Sequence, residues 1–337
     1  MDENKRNLTL IAQTEMTMPR HGTMFAYAAK TAALVLLATG WAWPTLAGPV
    51  ALYDVKTYGA QGNGVALDTA AIQSAIDAAA AGGGGVVRLG AGTYRTTTLT
   101  LKSGVTLELE HDALLQASPV ANDWAGRNHQ PVIAALDATD IGLRGEGTID
   151  GGGMAYYGEG GFVLPGDMPH SIVRIANSRN IHVLGLTFRN SVKWTQSYEQ
   201  CENLTVEGSI IRNRESRRSR ETDGIDIHTC RHVLVENCDI QTGDDALCVK
   251  VTGDPFQKPP RLTYDVTFRH CTVATTCNAT KIGTGTSSEA RDIHFTGITV
   301  NKLPGITRHD NSTKDGSCIA AISVQSNDGG AIHDLTF

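Results

Sequence analysis

A chain of 337 residues is long enough for one large domain or two ordinary ones. A net charge of −6 is too modest to imply nucleic acid or a membrane surface as a partner. With 6% aromatic residues and 36 glycines, the composition points to many short strands joined by turns.

Residues 1–47 read as an N-terminal extension carrying an export signal. Arg20 and Lys30 precede an apolar run, Thr31 to Trp43, and "TLAG" offers small residues for cleavage after Ala47. The run is short for a membrane span, so a secreted or periplasmic protein is expected, with no stable membrane insertion once the signal is cleaved. The polar stretch before Met24 suits a signal poorly, which makes Met18 or Met24 a candidate start; an uncleaved anchor is the competing reading. Residues 48–337 are then expected to form one domain.

Residues 51–118 open that domain with a strand, a glycine-rich loop and a helix. Asp68 suits the helix N-cap. Ile72, Ala75, Ile76 and Ala79 make one apolar face at helical spacing, and Gly82 to Gly85 stop the helix. Short strands are expected in "VVRL", "TYRTTTLTL" and "VTLELE".

From Asp140 on, the sequence repeats. The segments "NIHVLGLTF", "NLTVEGSII", "HVLVENCDI", "DVTFRHCTV" and "DIHFTGITV", then "DLTF", each begin with a polar residue. Counting that residue as zero, apolar side chains occupy offsets 1 and 3, as in Ile181/Val183 and Leu204/Val206. Apolar or small ones occupy offsets 6 and 8, as in Leu186/Phe188 and Cys238/Ile240. Each pair is strand alternation, and the change of parity between 3 and 6 marks a bend. Irregular periods near about 25 residues, rich in strands and poor in helix, fit a solenoid. Hairpin signals are few. The expected fold is all-β: a right-handed parallel β-helix, with strands of successive coils about 4.8 Å apart and the N-terminal helix capping the open end of the stack.

The seven cysteines, at positions 201, 230, 238, 248, 271, 277 and 318, contain no CxxC pair. A zinc site is not expected, and the odd count argues against a purely disulfide framework. Cys238 and Cys271 share offset 6 and are expected to stack as reduced core thiols. Cys201 and Cys230 also share a position, and whether they bridge is open.

Carried forward, the same alignment runs "TDGIDI", "DDALCV" and "CNATKI" side by side. Asp223, Asp245 and Asn278 then form one column across three coils, and Asp226, Cys248 and Lys281 a second, with Asp244 beside Asp245. Strict alternation would put Asp223 on the side of Ile225, so the chain must bend after the aspartates; Gly224 and Gly243 allow it. Single Asp or Asn residues at coil corners often serve as turn residues, but three converging carboxylates favour a site. Crowded carboxylates raise at least one pKa, which is how one carboxyl stays protonated as an acid while another stays ionised as a base. Glycoside hydrolysis needs that division.

The segments "ETDGID" and "TGDDALCVK", with the opening "DVKTYGAQGNG…DTAAIQSAID" and "GGGGVVRLGAGTYRT", resemble glycoside hydrolase family 28, the polygalacturonases and related pectin hydrolases. The resemblance implies inverting, single-displacement hydrolysis of a pectic, acidic polysaccharide. It makes Asp244 the general acid, and Asp223 and Asp245 the pair that holds and activates water. The family Asn-Thr-Asp falls on Glu221, Thr222 and Asp223, so its Asn is a Glu here. The family Gly-His-Gly falls on Cys277, Asn278 and Ala279, so its His is Asn278, and the basic Arg-Ile-Lys motif has no counterpart in "SCIAAISVQSNDGG". Lys281, Lys250 and the five arginines of "RNRESRRSRE" are the substitutes in view. Trp194 is placed either to stack on a sugar ring or to fill a core corner. The substrate-contacting set is thus Asn278, Lys281, Asp226, Lys250 and Trp194; His228 inherits no role. No cofactor or metal is expected, and the protein is read as a monomer.

Two other functions fit the same fold. A pectate-lyase-type enzyme would need calcium held by the aspartates and a basic proton-abstracting residue, and no arginine lies in the Asp223/Asp245 column. A non-catalytic carbohydrate-binding β-helix would have no need of three carboxylates. The chain stops at "AIHDLTF", in the middle of a unit, which leads to the expectation of further coils or a covering partner.

Overall fold

The computed structural model describes residues 50–126, 130–157, 168–213, 221–251, 262–303 and 317–337. The expected signal segment lies outside these residues, as do Arg214, Arg217, Arg218 and Arg220 of the arginine-rich loop.

The chain winds into a right-handed parallel β-helix built from three sheets. The first sheet has ten strands, from Leu52–Asp54 to Leu335–Thr336. The second has nine, from Asn63–Leu67 to Thr299–Asn301. The third has eight, from Leu99–Thr100 to Ala320–Val324. One strand of each sheet makes a coil, and each strand pairs in parallel with the same strand of the next coil.

The repeat read from the sequence is the coil. Ile181, Leu204, Val233, Val266, Ile293 and Leu335 are register partners in the first sheet. Phe188, Ile211, Ile240, Val273 and Val300 are partners in the second. The polar residue that opens each unit has left-handed backbone: φ is 55° at Asn180, 56° at Asn203, 56° at His232, 54° at Asp265 and 52° at Asp292. Asn and Asp tolerate that region best among residues with a side chain. A second left-handed residue recurs at offset 5, at Gly185, Gly208, Asn237, His270 and Gly297. That residue turns the chain from the first sheet into the second, which is the physical reason for the change of parity.

Inward side chains stack coil upon coil. Phe268 and Phe295 lie with ring centroids 4.7 Å apart and planes 2° from parallel, and Phe337 continues the stack. Thr69–Ala81 is the α-helix that packs on the first coil, burying Ile72, Ala75, Ile76 and Ala79. Fully burying one such isoleucine is worth about 1.5–3 kcal/mol. Asp68 stands at the N-cap but does not cap the helix. Its carboxylate instead accepts the Gln61 and Gly62 N–H groups, at 2.7 and 3.0 Å, and so ties down the preceding glycine loop. "TYRTTTLTL" is two strands rather than one, because Gly92–Thr96 belongs to the second sheet and Leu99–Thr100 to the third. All seven cysteines are free; the Cys201 N–H donates to the Cys230 sulfur at 3.2 Å.

Candidate active site

The outer face of the third sheet carries the site. Its strands Ile225–His228, Leu247–Val251 and Asn278–Thr286 pair in register, so Asp226, Cys248 and Lys281 share one row and His228 lies beside Lys250. Before each strand the chain bends. Gly224 donates its N–H to the Asp245 carbonyl at 2.8 Å, and Ala246 donates to the Asn278 carbonyl at 2.9 Å, which sets Asp223, Asp245 and Asn278 on neighbouring coils in one column. A Cβ on Gly224 would meet the Ala246 carbonyl oxygen at 2.4 Å, so the bend requires glycine. Further along, Val249 pairs with Ile282 but Val251 with Thr286, a bulge that turns Thr284 and Gly285 toward the same space.

That space is a cavity of about 930 Å³, lined in part by Asp223, Asp244, Asp245, Trp194, Lys250 and Lys281. Its three aspartates are held differently. Asp244 is half-buried; its Oδ1 accepts the Asp245 N–H at 2.8 Å and its Oδ2 the Glu221 N–H at 3.2 Å. Its carbonyl accepts the Thr242 and Thr275 hydroxyls, which locks the turn. Asp245 is 3% exposed. Its Oδ1 accepts the Asn278 Nδ2 at 2.6 Å and its Oδ2 the Lys281 Nζ at 2.7 Å. Asp223 is 4% exposed and shares Lys250, whose Nζ stands 3.3 Å from it but 2.5 Å from Asp226.

Those surroundings set the charge pattern. Burial, then the negative charge of Asp226, pushes the Asp223 carboxyl well above the usual carboxylate range; Lys250 opposes this, and Asp244 and Asp245 add to it. The geometry gives the same direction, because Lys250 is nearer its other partner. Burial alone would discharge Lys250, but Asp226 and Asp223 outweigh it and keep the ammonium charged. Lys281 is likewise held charged by Asp245 against its own burial. Burial lowers the His228 pKa, which favours the neutral imidazole.

The remaining expected contacts divide. Trp194 lies on the cavity wall rather than in a core corner, with the Lys250 Nζ 4.5 Å from its ring centroid and His228 and His170 against it. Lys250 and Lys281 line the cavity. Asp226 and Asn278 are not on that lining: Asp226 has no exposed surface and is bonded by Lys250, which corrects its expected contact with substrate, while Asn278, 6% exposed, bonds Asp245 from the next coil. Arg212 is also removed from the site, because its guanidinium is bound to Asp239 in the second sheet. Glu221 has φ of 62°, a left-handed conformation in which Asn would be at ease, and its carboxylate pairs with Lys193 at 2.8 Å.

Arg174, Lys193, Glu199 and His228 also line the cavity and carried no role in the sequence reading. The column rule would have found them. Arg174 stands in the row of Asp226 and Lys281, and Glu199 in the row of His228 and Lys250, one or two coils earlier. Arg174 binds Glu199 through two N–H donors, at 2.8 and 2.9 Å.

One donor atom each from Asp244, Asp245 and Cys277 lie within 4.8 Å of one another. They are a poor metal set. Lys281 and Asn278 already occupy both Asp245 oxygens, and burial followed by the Asp245 and Asp244 charges pushes the Cys277 thiol far up, so it keeps its proton. A second groove, of about 730 Å³, runs over the first sheet, but its acids Asp140 and Asp265 are already bonded by Asn180 and His232.

The family profile described as "Glycosyl hydrolases family 28" matches residues 86–254. The chain belongs to this family. A profile for "Rhamnogalacturonase A/epimerase, pectate lyase-like" matches residues 52–108. A probable polygalacturonase of Vitis vinifera is 30% identical over 220 residues, 59% of this chain and 44% of that protein. The exo-poly-alpha-D-galacturonosidase of Dickeya chrysanthemi is 24% identical over 251 residues, 58% of this chain and 41% of that protein. The chain spans about half the length of the curated relatives it matches. Among solved structures, a hyperthermoactive exopolygalacturonase from Thermotoga maritima superposes with a TM-score of 0.69 at 19% identity, covering 85% of this chain and 71% of that one. The family 28 match spans both aspartate segments.

Proposed function

We propose that this family 28 chain hydrolyses glycosidic bonds of pectic polysaccharide by single displacement. The observation that carries the reading is the convergence of Asp223, Asp244 and Asp245, from two consecutive coils, on one cavity. Asp244, at the cavity surface, gives a proton to the leaving oxygen as the C1–O bond breaks. Asp245, ion-paired and so ready to accept, takes a proton from the water whose oxygen attacks C1 from the opposite face. Asp223, protonated, holds that water from the other side. A second assignment is favoured by one observation: burial and the Asp226 charge raise the Asp223 carboxyl, which would make it the donor.

Arg174, Lys193 and Lys250 around the cavity support an acidic glycan, in place of the missing Arg-Ile-Lys motif. The apolar run Thr31–Trp43 and the small residues of "TLAG", for cleavage after Ala47, support export, and we infer a secreted monomer. Among the described residues no helix is long and apolar enough to cross a membrane. The test is incubation with homogalacturonan, rhamnogalacturonan, xylogalacturonan and a neutral glycan, following new reducing ends and the anomer first released by NMR. Release from a pectic chain with inverted configuration is expected; retention, or no cleavage of any of them, overturns the reading.

A further inference from the structure

We infer that Lys281 is a positioning residue: with Asn278 it clamps Asp245 and keeps that carboxylate ionised, rather than gripping an acidic sugar. The inference deepens the proposed function, in which Asp245 is the base.

Three observations carry it. The Lys281 Nζ lies 2.7 Å from Asp245 Oδ2, while Asn278 donates to Oδ1 from both its side chain, at 2.6 Å, and its backbone N–H, at 3.3 Å. Each oxygen is thus bound from the next coil, which fixes the carboxylate plane. Second, two carboxyls crowd Asp245, Asp244 beside it and Asp223 on the preceding coil, and of the two lysines nearest them Lys250 is bonded to Asp226 and Asp223. Among the described residues Lys281 is the cation bonded to Asp245 itself. Third, Lys281 sits in a β-sheet row with its side chain only 13% exposed, and its pairing with Asp245 uses the ammonium that a substrate carboxylate would otherwise need.

The test is a carboxyl titration of protein labelled with ¹³Cγ-aspartate, the Asp245 signal being assigned with Asp245→Asn. Wild type gives the reference midpoint. Lys281→Met should raise its midpoint by about 1–3 units, the effect of removing an adjacent opposite charge. Lys281→Arg should restore it. Lys281→Gln, which keeps a hydrogen-bond donor without charge, gives the same rise should the methionine variant fail to fold. An unmoved midpoint in both neutral variants overturns the inference. The titration needs no turnover, so a chain that cleaves no glycan defeats the proposed function while the Lys281 result still stands or falls by itself. On an active enzyme, Lys281→Met should move the acid limb of the kcat profile upward with KM within about twofold. A tenfold rise in KM with an unmoved profile would instead make Lys281 a substrate clamp.

Discussion

The Gly224 N–H donates to the Asp245 carbonyl at 2.8 Å, so the bend that turns Asp223 into the cavity is bonded to the loop carrying the next aspartate pair. The two active-site segments are one hydrogen-bonded unit. Gly224→Ala would place a methyl 2.4 Å from the Ala246 carbonyl and 3.0 Å from Ile240. Backbone must move, at a cost of about 1–3 kcal/mol. Activity should fall further than stability, by about 100-fold, because a displacement near 1 Å suffices for that. Thermal melts and initial rates of the variant check this; wild-type values of both would show that the bend tolerates a side chain.

Asp223 is a stability liability at neutral pH. Its folded pKa lies above the unfolded value of about 3.9. The protonated form is the one the fold favours, so its contribution is fully present below about pH 4 and is lost as pH rises through the raised folded value. Asp223→Asn removes that titration, while Lys250 keeps its nearer partner, Asp226. The variant should melt several degrees above wild type at pH 7, with the gap closing toward pH 4. A lower melting temperature at pH 7, or a gap that does not change with pH, would contradict the assignment.

Lys250 and Asp226 form a buried ion pair at 2.5 Å, and the second Asp226 oxygen has no partner among the described residues. Lys250→Met leaves that carboxylate buried without its cation and should destabilise the fold by roughly 3–5 kcal/mol. Adding Asp226→Asn should recover most of the loss, since the remaining cost was the stranded charge. Urea melts of the wild type, both single variants and the double variant give the coupling. A double variant as unstable as the sum of the singles would mean that the pair is independent.

Much of the fold was legible because stacking forces a repeat. Residues in one column must be compatible with the same backbone, so Asn180, Asn203, Asp265 and Asp292 announce each left-handed start and Leu204, Val233 and Val266 each inward position. The aspartate columns followed from the same register. Depth did not follow. Asp226 and Lys281 share a row, yet Asp226 is wholly buried against Lys250 of the next coil while Lys281 reaches the cavity. The charge pattern was half legible: crowding predicted that one carboxyl would be raised, but burial, which no spacing reveals, is the larger cause of the rise at Asp223.

Asp244 is the test of the acid role. Its Oδ2 accepts from the Glu221 backbone and its Oδ1 from the Asp245 backbone, contacts that an amide oxygen can keep in part. Asp244→Asn should therefore fold as wild type and still bind oligosaccharide. Loss of the proton donor should lower kcat by about 10²–10⁴, with KM nearly unchanged. Should Asp223→Asn instead abolish the basic limb of the pH profile while Asp244→Asn leaves it in place, the donor is Asp223.

Metal removal separates hydrolysis from the lyase reading on this fold. A calcium-assisted elimination would need free carboxylate oxygens in the cavity. Asp245 has both of its oxygens bonded, by Lys281 and Asn278; Asp223 is held protonated; Cys277 keeps its proton. Of the three aspartates only Asp244 is left to offer charge, and Glu199 and Glu221 on the cavity wall are paired with Arg174 and Lys193. Exhaustive dialysis against a chelator should therefore leave the rate unchanged, added calcium should not raise it, and products should carry no unsaturated sugar end. A rate that collapses on chelation and returns with calcium, with unsaturated products, would mean that the Lys281–Asp245 pair opens to admit a cation.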